Sequence, residues 1–85
     1  MNLLIKDKNS FLIPREEIII KNFNIRIIDF EYETQIQNIL DEINKNKGDV
    51  ICTSSNIKLH SKIKIDYFTD INEFYSYKIR NINSI

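Results

Sequence analysis

The stretch Ile18-Ile19-Ile20-Lys21-Asn22-Phe23-Asn24-Ile25-Arg26-Ile27-Ile28-Asp29-Phe30 decides how this chain of 85 residues is read. Phe23, Ile25 and Ile27 alternate with Asn22, Asn24 and Arg26, the pattern of a strand with one face buried. The run Ile18-Ile19-Ile20 is β-branched and adds to the same tendency. Residues 18–30 are therefore expected to form one long strand.

Upstream, Asn2–Lys6 and Phe11–Ile13 flank Asp7-Lys8-Asn9-Ser10, which has the residue types of a tight turn and predicts a hairpin. Downstream, Thr34 and Gln37 have capping-box spacing. Ile36, Ile39, Leu40 and Ile43 then recur at helical spacing, against Gln37, Asp41, Glu42 and Lys45 on the other face. Gly48 stands where a left-handed residue closes a helix. A helix over 34–47 follows, then a short strand, Asp49–Thr53, and a turn at Ser54-Ser55-Asn56. Residues 57–65 read as another strand. The last segment fits two patterns. Asp70 with Glu73, and Ile71, Phe74, Tyr75, Ile79 and Ile82, suit a capped amphipathic helix, whereas Glu73–Ile79 is rich in strand formers. With connections too short for crossover helices except at 34–47, the expected fold is α+β: a mostly antiparallel sheet of about five to six short strands and one helix, in a single domain over 1–85.

Composition bounds the function. A chain of this length buries only about 60–65% of its unfolded surface, so an enzyme would need a partner subunit to enclose its site. Twelve Lys and Arg balance twelve Asp and Glu, which excludes a generally basic coat protein. The 19 Ile, 11 Asn and 9 Lys, with no Ala, reflect A/T-rich codons and tilt the chain towards strands. Lys6 interrupts the start, and no apolar run exceeds three residues, so neither a signal peptide nor a membrane span is expected and the protein is read as cytoplasmic.

A single Gly cannot build a phosphate-binding loop. Cys52 and His60 are a conceivable nucleophile pair, but a buried Cys and a surface His explain them better. The neighbours Glu16-Glu17 and Asp41-Glu42 point to different faces and read as surface charge. No catalysis, cofactor, metal or small-molecule substrate is expected. The segment 57–65 is the most informative. Ile57, Leu59, Ile63 and Ile65 fall on one side; Lys58, His60, Lys62 and Lys64 fall on the other, about 6.6 Å apart in a strand. Such a row can reach phosphates and release counterions, although Lys-rich strands also guard sheet edges. Tyr67, Phe68, Phe74, Tyr75 and Tyr77 could stack on bases beside it; filling a core or a subunit interface is the commoner use.

The order of elements resembles the RemA/RemB group, small Gram-positive regulators of biofilm-matrix genes. Phe11-Leu12-Ile13-Pro14-Arg15-Glu16-Glu17-Ile18 looks like that family's first strand and its polar step into the second. Ile27-Ile28-Asp29-Phe30-Glu31 looks like the end of a second strand of RemB type. Ile36–Asn46 looks like the helix, Gly48–Thr53 the next strand, and Phe74-Tyr75-Ser76 with Ile79 the closing strand. The resemblance requires an insertion around Lys21–Asn24. It implies a ring-like homo-oligomer and, for RemA, DNA binding through arginines. Those arginines fall here on Ser55-Asn56-Ile57-Lys58 and on Glu17, which leaves Lys58 as the only matching cation. The leading expectation is an oligomeric transcriptional regulator that contacts duplex DNA backbone through Lys58, His60, Lys62 and Lys64. The alternatives are a homo-oligomeric protein-interaction module that binds no DNA, and a small mobile-element inhibitor protein.

Overall fold

The computed structural model describes residues 2–83. Strand β1 (Asn2–Asp7) leads to helix α1 (Pro14–Asn22), strand β2 (Ile25–Phe30), helix α2 (Ile36–Lys45), strand β3 (Val50–Cys52), the two-residue strand β4 (Asp66–Tyr67) and helix α3 (Ile71–Asn83). The sheet has four strands in the order β2-β1-β3-β4, and every pairing is parallel. This overturns the expected antiparallel sheet of five to six strands with one helix.

The correction begins at helix α1, Pro14–Asn22, which takes in residues 18–22 of the strand expected over 18–30. Pro14 suits the first helical turn, because its missing N–H would have no partner there. The Glu16 carboxylate accepts the Ile13 N–H at 3.1 Å, which satisfies a further free donor. These start signals outweigh the β-branched Ile run. The helix stops at Phe23-Asn24, with Asn24 at φ 51°, a left-handed conformation that Asn tolerates. Only Ile25–Phe30 of the expected long strand is a strand. The turn Asp7–Ser10 does form, with Ser10 N–H donating to Asp7 O at 3.0 Å. It leads into a crossover rather than a hairpin, and Phe11–Ile13 joins no sheet.

Helix α2 matches its pattern, but its caps differ from the expected ones. Gln35 Oε1 accepts the N–H groups of Glu31 (2.9 Å) and Tyr32 (3.0 Å), while Thr34 lies inside a preceding 3-10 turn. Gly48 has no left-handed φ; the helix ends at Asn46 in an extended conformation. Helix α3 replaces the closing strand of the family mapping. Its start carries a reciprocal cap: Asp70 Oδ1 accepts Glu73 N–H at 3.0 Å, and Glu73 Oε2 accepts Thr69 N–H at 2.8 Å. The helical spacing of Ile71, Phe74 and Tyr75 was the correct guide, and the side chain of Ile82 falls outside the described residues.

The sheet has apolar cover on both faces, as a parallel sheet requires. On one face Leu4, Ile25 and Ile51 pack with Ile19 of α1 and with Ile71 and Phe74 of α3. On the other, Leu3, Ile5, Phe30, Val50 and Cys52 pack with Ile39 and Ile43 of α2 and with Ile57 and Leu59 from the β3–β4 connection. Each fully buried side chain of this size contributes about 1.5–3 kcal/mol. Because β2 lies on one side of β1 and β3 on the other, the chain reverses its direction of travel across the sheet between β1 and β3. The carboxyl ends of those two strands form the crevice where loops of doubly wound sheets place their functional groups.

Candidate nucleic-acid interface

The connection from β3 to β4 starts at that crevice. Asp7, the last residue of β1, anchors it: Oδ1 accepts Ser54 Oγ–H at 2.6 Å and Asn56 Nδ2–H at 3.3 Å. Ser54 Oγ in turn accepts the Asn56 N–H at 3.1 Å, which shapes the turn. Beyond it the chain joins no sheet and bends at Lys62-Ile63, so the expected strand over 57–65 is not present. Its backbone is tied instead by side chains. Tyr67 Oη accepts the Leu59 N–H at 3.2 Å, and Ser61 Oγ accepts the Ile63 N–H at 3.1 Å. A ladder is ruled out because α2 and this segment share one face of the sheet, which keeps the segment above the strands rather than beside them.

The alternation survives without the strand. Ile57 and Leu59 are buried, and Ile63 and Ile65 pack against the same core. Lys58, His60, Lys62 and Lys64 are all exposed. Among the described residues only Lys64 of the four meets a carboxylate, Asp66 at 3.6 Å, and it stays 83% exposed. An open groove of about 650 Å³ runs along the segment, lined by residues 54–60 and Tyr67.

The aromatic residues separate. Phe74 is buried on the opposite face of the sheet, where Phe23 and Phe68 meet it edge-on at 5.7 and 5.8 Å. Tyr75 packs on Phe23 at 5.9 Å, and Tyr77 lies 5.9 Å from Phe68. Phe23, Phe68, Phe74 and Tyr75 belong to that core, Tyr77 is left 45% exposed on the same side, and only Tyr67 stands beside the basic row. Its hydroxyl is already committed to Leu59, which fixes the ring against the groove.

Cys52 and His60 form no reactive pair. Cys52 is 1% exposed inside β3, and burial pushes its thiol up, away from the nucleophilic thiolate; the nearby Asp7 carboxylate adds to that. His60 points to solvent. Glu16 is buried as a helix cap rather than lying on the surface, and Glu42 is paired with Arg26. Among the described residues no group of three or more His, Cys, Asp or Glu side chains is placed to hold a metal ion. Nor is any helix among them long and apolar enough to cross a membrane.

Sequence reasoning found the four basic residues but not the groups that hold them in place. Asp7 and Ser54, 47 residues apart in sequence, support the loop together with Tyr67. Their polar types are ordinary, and only the reversal of strand order brings them together. Comparisons of the chain with protein-family models, with curated proteins and with solved structures found no match in any of the three.

Proposed function

We propose that this protein binds duplex DNA, mainly at the phosphate backbone, through Lys58, His60, Lys62 and Lys64, and acts as an oligomeric cytoplasmic regulator rather than an enzyme. One observation carries the reading: all four basic side chains are exposed along one loop whose alternate residues, Ile57 and Leu59, are buried and so fix its orientation. Lysines engage phosphates as point charges and bring little base readout. A row of three lysines binds weakly alone, and an oligomer multiplies it by avidity. The regulatory part rests on the resemblance to the RemA/RemB group, from which this chain departs by helices at Pro14–Asn22, where that mapping has the step into the second strand, and at Ile71–Asn83, where it has the closing strand.

The test is a titration of duplex DNA between low and physiological salt. Each phosphate neutralised contributes about −0.9 to the slope of log affinity against log salt, so three lysines predict a slope of about −3 per engaged subunit. Changing Lys62→Glu and Lys64→Glu together reduces that slope by about 2 and weakens binding about tenfold or more. A flat salt response, or unchanged binding by the double variant, overturns the proposal. A flat response would favour the second reading, an interaction module that binds no DNA, which is suggested by the exposure of Phe11 (91%), Ile18 (60%) and Ile13 (53%).

A further inference from the structure

The two edges of the sheet are treated differently. β4 is two residues long and carries Asp66 in an ion pair with Lys64, so it offers almost no template for another strand. β2 is six residues long, Ile25–Phe30, with no proline. Its hydrogen-bond phase is fixed by the bonds from Asn2 N–H to Asn24 O (3.4 Å) and from Lys8 N–H to Phe30 O (2.9 Å), together with the parallel register from Asn2↔Ile25 to Asp7↔Phe30. The even-numbered residues of β2 turn their backbone groups towards β1. The N–H and C=O groups of Ile25, Ile27 and Asp29 therefore point away from the sheet, and none of them has a partner among the described residues.

Charges are the usual guard of such an edge. Here both charged residues of β2 are already occupied within their own chain. Asp29 is held by Lys6 Nζ at 2.6 Å, and Arg26 is bound to Glu42 of α2. Lys6 is itself buried and spends its remaining donors on the carbonyls of Asp7 (3.1 Å) and Ser10 (2.9 Å). Between the charges, Ile27 and Ile28 are only half-buried.

We infer that β2 pairs antiparallel with β2 of a second copy of this chain, about a two-fold axis at Ile27, joining two four-stranded sheets into one. The phase of the free groups supports a second copy as the occupant. With Ile27 opposite its own counterpart, Ile25 stands opposite Asp29 at both ends, so each outward-facing residue meets another outward-facing residue. Every free N–H and C=O then finds its complement, as a closed isologous contact requires. On the two faces Ile27 meets Ile27, Arg26 meets Ile28 and Ile25 meets Asp29, with no like charges directly opposed. This pairing deepens the oligomeric half of the function proposed above, and it stands or falls separately from DNA binding.

The experiment follows mass and backbone amides in the unaltered chain over a range of concentration, by sedimentation or light scattering and by hydrogen exchange. The expected mass rises from 10.2 kDa to twice that value. As it does, the amides of Ile25, Ile27 and Asp29 exchange about tenfold more slowly or beyond, because they pass from open edge to ladder. Ile27→Pro, which removes the central donor at an edge position that a monomer tolerates, is expected to stay monomeric. If that variant fails to fold, the amide readout still decides. A monomer up to millimolar concentration, or an oligomer in which those amides remain open, overturns the inference. Loss of DNA binding in the Lys62→Glu and Lys64→Glu variant leaves it untouched.

Discussion

Under α1 and α3, the sheet meets two helices whose backbones are hydrogen-bonded within themselves, and Phe74 joins Phe23 and Phe68 in edge-on contacts across that layer. On the opposite face, half of the cover is the segment 53–65. It has no internal ladder and is held by Asp7, Ser54 and Tyr67 and by the burial of Ile57 and Leu59. Both faces are apolar, yet helices α1 and α3 cover one through many local bonds, while on the other a few side-chain bonds organise the half that α2 does not cover. The non-helical cover exposes a basic residue at every second position from 58 to 64; a helix would spread the same four basic groups around its circumference. That is what the less regular face gains, and the cost is dependence on single contacts.

The largest expected effect lies on the helical face. Phe74→Ala removes a side chain that is 1% exposed and anchors three elements, and it should cost about 3–5 kcal/mol in a denaturant titration. In a small domain that is a large part of the total stability. Asp7→Ala comes next. It leaves the Ser54 and Asn56 donors without their acceptor and is expected to cost about 1–3 kcal/mol. Its diagnostic sign is locality: amides of residues 54–60 should lose exchange protection more than those of α1 or α3. Uniform loss over the whole chain would break the contrast between the two faces. Tyr67→Phe keeps the ring and removes only the oxygen bound to Leu59 N–H, so about 1 kcal/mol is expected, with faster exchange at Leu59. Smallest in stability is the pair Lys62→Glu and Lys64→Glu, within about 0.5 kcal/mol of the unaltered chain because both side chains are exposed. Its large effect should appear only in the DNA titration, which separates the loop's binding role from its structural one.

The same division explains what sequence reading reached. Helix α2 was readable because Ile36, Ile39, Leu40 and Ile43 repeat at the helical period over its whole length and strongly charged or polar residues fill the other side. The orientation of Lys58, His60, Lys62 and Lys64 was readable because Ile57, Leu59, Ile63 and Ile65 alternate with them and are drawn to the core. Helix α1 was misread because Ile18, Ile19 and Ile20 satisfy a strand pattern as well as a helical one, and Ile18 is left 60% exposed, so the apolar stripe is irregular. Its real markers were short-range: Pro14 in the first turn and Glu16 folding back on Ile13. In the last segment the Asp70–Glu73 cap was the correct signal, and the family mapping, which made that segment a strand, pointed the other way.

That one reassignment changed the whole topology. A helix between β1 and β2 makes their parallel pairing possible, whereas a hairpin had made antiparallel pairing seem necessary. Local chemistry determined where turns fall, which residues of 57–65 face water, and that charge is segregated within a neutral total. The tertiary structure alone decided the strand order β2-β1-β3-β4, the convergence of Asp7 with Ser54 and Asn56, and the open outer edge of β2. Those depend on which strands become neighbours, and contacts between residues far apart in sequence leave no period for a reader of the chain to follow.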